Sequence, residues 1–301
     1  MLAIPFRIVA NNCVRFGCAL SIAMLTALPA QAGTEIYPGD FIALPAGTQV
    51  ASFYQYERSF EGYYFSGKRE GDAEVTGRAS VFAYTRYGEL NGMTSAWSVM
   101  LPYITAHKTT GTLPSWFGDQ TSGFADLRLK YSVWPINDPE RGRYMALTGI
   151  WQPDTGKYEN AQVLSPGDNR NRFTFQMAWI EPLSKTVSLE LIPEISFHSD
   201  NKDYVGTHMK QETAYALTGY LRWRFSGPWT ANIGFQSNGG GDQIIDGVRQ
   251  YNQPDQQRVL LGVNTMLAPN VSASLRYSHD LSVENSLRIL DDWVLAVHYF
   301  F

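Results

Sequence analysis

Trp293-Val294-Leu295-Ala296-Val297-His298-Tyr299-Phe300-Phe301, the last nine residues of the sequence, alternate between two faces. Counting back by two from Phe301 gives Tyr299, Val297, Leu295 and Trp293, an apolar face with aromatic residues at both ends. Alternation over nine residues is the period of a β-strand. An apolar face ending in aromatics at both extremities fits a strand that crosses a bilayer, with its rings at the two water interfaces.

Eleven further period-two segments precede this one. Together the twelve run approximately 48–58, 73–87, 93–107, 122–134, 143–152, 172–181, 186–199, 211–225, 229–238, 256–267, 270–281 and 287–301. In the eleventh, Val271, Ala273, Leu275 and Tyr277 oppose Ser272, Ser274, Arg276 and Ser278. The connections alternate: long at 59–72, 107–121, 153–171, 200–210 and 239–255, and tighter at 88–92, 135–142, 182–185, 226–228 and 268–270. Tight turns at one end and long loops at the other are the asymmetry of bacterial outer-membrane barrels, which also have an even strand count. We therefore expect an all-β fold, a transmembrane antiparallel up-and-down β-barrel of about twelve strands over residues 48–301. A soluble barrel shows the same alternation with its faces exchanged.

The start of the sequence reads as a secretory leader. Arg7 and Arg15 precede an apolar run from Phe16 to Leu28, and Ala30-Gln31-Ala32 has the small-x-small pattern of a cleavage site. Cleavage is expected after Ala32. Both cysteines, Cys13 and Cys18, fall inside that leader, so the mature chain has no thiol for a disulfide or a thiolate metal site. It carries 22 basic against 28 acidic residues, a net charge of −6, which argues against a nucleic-acid partner. Residues 33–47 are too few for a plug domain; they form a periplasmic tail or tuck into the lumen. The last strand is similar to the C-terminal signal read by the barrel-assembly machinery, which gives Trp293, Leu295, Val297, Tyr299 and Phe301 that expected role.

Strand phase nominates lumen-facing charges: Arg78, Asp126, Arg128, Lys130, Glu190, Glu194, Arg222, Arg224, Arg258 and Arg276. Such residues either line an open pore and set its ion preference or pair with one another and fill it; twelve strands lie between filled small barrels and water-filled porins of ~16 strands. Asp291-Asp292 straddles both faces and is expected at the rim. Gly239-Gly240-Gly241-Asp242 reads as the start of a mobile outer loop, since a lone run lacks the repeated spacing of calcium sites. The five histidines share no ligand spacing, and no metal or cofactor is expected. A membrane-embedded lipid hydrolase needs a histidine two residues before its serine. Ser237 has Phe235 there, so no base is positioned for it.

Three segments resemble a known family, the outer-membrane proteins grouped under a MetA pathway of phenol degradation. They are Tyr37-Pro38-Gly39-Asp40-Phe41-Ile42-Ala43-Leu44-Pro45-Ala46-Gly47-Thr48; Gly123-Phe124-Ala125-Asp126-Leu127-Arg128-Leu129-Lys130-Tyr131; and Thr148-Gly149-Ile150-Trp151-Gln152-Pro153-Asp154-Thr155-Gly156-Lys157-Tyr158. The last departs by two residues, Asp154 and Thr155, where many members have one. The resemblance implies an outer-membrane transporter linked to aromatic compounds, and it transfers no catalytic or ligand residue. The expected function is passive uptake of small molecules, with outer-membrane lipid, the assembly machinery and a small solute as partners. A structural or surface-interaction barrel with a filled lumen remains the alternative.

Overall fold

The computed structural model describes residues 34–111 and 113–301; the expected leader, residues 1–32, lies outside them. The strands are β1 (Gln49–Phe65), β2 (Lys68–Leu90), β3 (Met93–Gly111), β4 (Gln120–Phe124), β5 (Arg128–Asp138), β6 (Arg143–Gln152), β7 (Arg172–Pro182) and β8 (Val187–His198). Then come β9 (Asn201–Tyr204), β10 (Thr207–Gln211), β11 (Ala214–Ser226), β12 (Trp229–Gly240), β13 (Gln243–Ile245), β14 (Val248–Arg249), β15 (Gln256–Ala268), β16 (Val271–Val283) and β17 (Leu287–Phe300). Both β4 and β5 pair with β3 and behave as one interrupted strand. With β9, β10, β13 and β14 set apart in a small outer sheet, twelve strands remain in the main sheet.

That sheet closes: β1 is hydrogen-bonded to β2 on one side and to β17 on the other, all antiparallel. Closure follows from the solvent. Hydrocarbon offers no partner to a peptide N–H or C=O, so a spanning sheet has to satisfy every edge internally. Inside, Ser132, Thr148, Gln176, Glu194, Ser196, Thr218, Gln236, Arg258 and Arg276 are buried, whereas Phe175, Leu217, Leu221, Ile233, Leu261, Leu275 and Leu295 are exposed on the outer face. A polar interior beneath an apolar exterior reverses a soluble barrel and matches a membrane one. Rings mark two levels of the band: Tyr277 and Trp293 lie 4.8 Å apart at one, Tyr299 and Phe301 5.7 Å apart at the other.

The strands on the long-loop side are longer than the sequence suggests. Residues expected as a loop at 59–72 continue β1 and β2 into a projecting hairpin. Its turn is Ser66-Gly67, both with positive φ, as a two-residue hairpin turn requires. The loops at 200–210 and 239–255 also pair with each other, Met209 opposite Ile245 and Gln211 opposite Gln243. Together these extensions bury an apolar cluster, including Phe60, Tyr63, Val75, Phe117, Leu164, Met209, Ile245 and Ile289, at the outer end of the barrel.

The facing generates a stability contrast. Leu275→Arg, on the exposed outer face, is expected to cost ~2–4 kcal/mol near the bilayer midplane. Ser272→Arg, on the inner face of the same strand, should cost far less. Refolding into lipid vesicles across a urea series measures both, and the reverse order would exchange inside and outside.

Candidate functional site: the lumen and its N-terminal segment

Residues Thr34–Leu44 lie within the barrel. A turn begins the segment's fold: Asp40 N donates to Tyr37 O at 3.1 Å, and Tyr37 N donates back to Asp40 Oδ2 at 2.9 Å. Wall residues then hold its backbone at successive heights. Thr34 N donates to Glu194 at 2.9 Å, and Gly39 N to Glu190 at 3.0 Å. Tyr220 Oη donates to Ile36 O at 2.8 Å, and Trp134 Nε1 to Phe41 O at 2.8 Å. Tyr220 reaches inward because it lies over Gly234, directly opposite on β12. A Cβ at residue 234 would stand 2.4 Å from the tyrosine ring. Aromatic cover over a strand glycine is a known device for shaping curved sheets.

The strongest hold is ionic. Arg58 on β1 and Asp292 on β17 are register partners across the seam, and the guanidinium donates to both carboxylate oxygens, at 3.0 and 2.9 Å. The same Arg58 donates to Glu35 at 2.8 Å, and Arg276 also bonds Glu35 and sits 3.6 Å from Asp292. Asp292 is fully buried and accepts a further bond from Ser278 at 2.9 Å. Burial pushes the Glu35 carboxyl up, but Arg276 and Arg58 outweigh it and hold the carboxyl far below the usual range. Glu35 is therefore held in its ionised form by the two arginines. A second pair, Arg258 with Asp280, repeats the arrangement between β15 and β16 at 2.8 Å. Each pair costs desolvation when buried, and removing one member alone is what destabilises strongly, by ~3–5 kcal/mol.

The segment leaves part of the lumen open. A cavity of about 350 Å³ runs between it and the inner faces of β1, β2 and β3. It extends from Arg128, Ala79 and Tyr56 at mid-barrel to Val50, Thr85 and Asn264 near the tight-turn ends. Its wall is mostly apolar and aromatic, with Tyr54, Val81, Met100 and Ile150, and Lys130 also borders it.

At the outer end Asp126 organises the loop between β6 and β7. Its carboxylate accepts from Thr155 N at 3.0 Å, Gly156 N at 2.7 Å and Asp168 N at 2.8 Å. A Cβ at residue 156 would meet Ala125 C and Asp126 N at 2.7 Å, so glycine alone allows this approach. Two of the three motifs noted in the sequence, around Asp126 and around Gly156, are therefore halves of one loop clamp.

Of the other nominated charges, Asp126, Arg128, Glu190, Glu194, Arg258 and Arg276 are buried inside. Lys130 is half-buried, and Arg222 pairs with Glu190 at 2.8 Å. Two placements correct the sequence reading. Arg78 is on the outer face, 70% exposed and paired with Glu57 at 3.2 Å. The inner face of β2 is Ala73, Val75, Ala79 and Val81, so polarity there does not mark the lumen. Arg224 keeps the inward phase but is exposed two residues before the β11 terminus, at the tight-turn rim. Asp292 points into the barrel and is buried there, while Asp291 faces outward beside the ring level of Trp293 and accepts from Tyr277 Oη at 2.9 Å. The Gly239–Asp242 run is structured: buried Asp242 accepts from Arg249 and from Gln253 N at 2.9 Å. Trp293, Leu295, Tyr299 and Phe301 are exposed on the outer face, with Val297 half-buried among them, and Ser237 sits on the same side next to Phe235 in phase. Sequence reading missed Glu35, Arg58 and Asp280 and did not foresee the partner of Asp292; the inward phase of Arg58 opposite Asp292 in paired strands was the available signal.

Removing the Asp126 carboxylate tests the clamp. Asp126→Ala leaves three amides without their acceptor, at ~1–3 kcal/mol for each that stays buried. Hydrogen exchange at Gly156 and Asp168 should accelerate at least about tenfold, with the barrel amides unchanged.

Comparison with solved structures places the barrel beside the COG4313 outer membrane channel from Pseudomonas putida F1, with a TM-score of 0.83 at 22% identity over 89% of this chain and 100% of that one. The beta domain of the Bordetella autotransporter BrkA shares the architecture more distantly, with a TM-score of 0.53 at 12% identity over 84% and 99% of the two chains. Comparison with curated protein sequences found no match. The family model described as "Putative MetA-pathway of phenol degradation" matches residues 50–292, all but the first and last few residues of the barrel, and the chain belongs to that family.

Proposed function

We infer that this barrel is a passive conduit for small molecules across the outer membrane, narrowed by residues 34–44 to a passage along one wall. The cavity beside β1–β3 carries this reading. A barrel that served only as a surface scaffold has no need of a 350 Å³ space lined by an apolar wall and the N-terminal segment. Diffusion, rather than catalysis, fits the residues that meet the space. The family description supports aromatic or other hydrophobic solutes. The alternative, a structural barrel, draws on the apolar cluster that covers the outer end.

Single-channel recording in planar bilayers separates them. The refolded barrel should give small discrete steps, and removal of residues 34–44 should raise the step size several-fold by clearing the lumen. Glu35→Gln, which leaves Arg58 and Arg276 without their shared carboxylate, should add flickering between the two levels. No conductance from the folded barrel with residues 34–44 removed would establish the filled, structural reading.

Assembly is a separate step, in which the outward residues Trp293, Leu295, Val297, Tyr299 and Phe301 serve as the signal for the barrel-assembly machinery. Phe301→Ala should lower the heat-modifiable, folded fraction in outer membranes without changing the conductance of the molecules that do fold.

A further inference from the structure

The cavity has a charge with no counterpart. Lys130 projects from β5 to its border, and its ammonium lies over the face of the Phe41 ring, 4.8 Å from the centroid. Among the described residues no carboxylate lies within ion-pair distance of it and no acceptor bonds it. The carboxylates whose charge it feels most are Asp40 and Glu194, and both are engaged elsewhere. Asp40 accepts from Tyr37 N, and Glu194 accepts from Thr34 and Gln176. By contrast, Arg58, Arg222, Arg258 and Arg276 each close an ion pair within the lumen wall or with Glu35. An ammonium removed from bulk water without an anion is unfavourable. At Lys130 that cost is met facing the open part of the lumen.

The surroundings define what completes it. Arg128 borders the same cavity two residues away on the same face of β5, and the carboxylates that also line it are already bonded, Glu35 to Arg58 and Asp40 to Tyr37 N. The adjoining wall is Tyr54, Tyr56, Val81 and Met100, a surface for a ring or short apolar body. A cavity of ~150 Å³ holds a benzene, so this one holds a ring with a substituent. We propose that the cavity is a subsite for small aromatic carboxylates, with the carboxylate on Lys130 Nζ and the ring against the tyrosine wall. This rests on reading the barrel as a conduit and names the solute class that the conduit retains.

Equilibrium dialysis of the refolded barrel with labelled benzoate tests the assignment, with benzylamine, benzyl alcohol and acetate as competitors. Benzoate should bind once per barrel and resist all three competitors at equal concentration. Lys130→Met should weaken binding by about tenfold or more, the scale of one desolvated charge contact, and Lys130→Arg should recover most of it. Benzylamine or benzyl alcohol competing as well as benzoate would overturn the assignment, as would acetate doing so. Undiminished binding to folded Lys130→Met would do the same. If that variant does not fold, the competition series on the unaltered barrel still decides. Benzoate binding in a barrel that never conducts would refute the conduit and keep the subsite; conduction with no preference for benzoate would do the opposite.

Discussion

Arg58 and Asp292 face each other where the barrel closes on itself. Closure between β1 and β17 is required because lipid leaves no other way to satisfy two strand edges. The backbone ladder supplies closure, but a ladder alone sets register weakly: a slip of one residue would exchange the faces of a whole strand. A buried ion pair directly across the seam penalises that slip, since it would drive an arginine and an aspartate toward hydrocarbon. Ion pairs buried at one position are best understood as specifying arrangement, since their net contribution to stability is small or negative. The pair of Arg258 and Asp280 does the same between β15 and β16.

Glu35 extends this arrangement to the segment in the lumen. Arg58 carries more donors than Asp292 can use, and Arg276 stands beside both. A second carboxylate, Glu35, neutralises the group, and it comes from the chain ahead of β1. The segment is thereby tied to the seam, while Tyr220 and Trp134 hold its backbone from the opposite wall. Hydrogen bonds and ions set its position; the apolar residues Ile36 and Phe41 are buried as a consequence. An attachment made this way is specific, because each buried wall partner is matched to one group of the segment.

Strand positions were largely legible in the sequence because lipid and lumen impose opposite chemistries on alternate residues; β6, at Arg143–Gln152, coincides with its expected span. Phase was legible where that contrast is sharp, as at Leu275 and Arg276. What could not be read depends on partners far along the chain. Asp291 and Asp292 look equivalent in sequence, and only Arg58, 234 residues away, makes the second a buried, paired lumen residue. Glu35 precedes all the strands, so no periodicity applies to it. The outer apolar cluster draws one or two residues from each of many loops, and none of those loops is hydrophobic enough alone to announce it. Asp126 and Gly156 were visible as motifs but not as contacts, since their meeting is set by a bulged junction between β4 and β5.

The misplacement of Arg78 follows from the same feature that forms the cavity. Elsewhere the wall puts apolar residues toward lipid and polar residues toward the lumen. In β1 and β2 the contrast is relaxed on both faces: Ala79 and Val81 point inward, while Gln55, Glu57, Arg78 and Ser80 point outward. The outward polar groups are tolerable because they pair, Glu57 with Arg78 and Ser80 with Gln55, and because they stand near the ring level of Trp293, where a charge costs little. The inward apolar groups Ala79 and Val81 offer the N-terminal segment no bonding partner, and they border the space that it does not fill. A polar wall there would invite water and the segment's own backbone to bond it and close the gap. An apolar wall gives neither a partner, so the space stays available to a ring, and Lys130 on its border gives such a ring's carboxylate a place to rest.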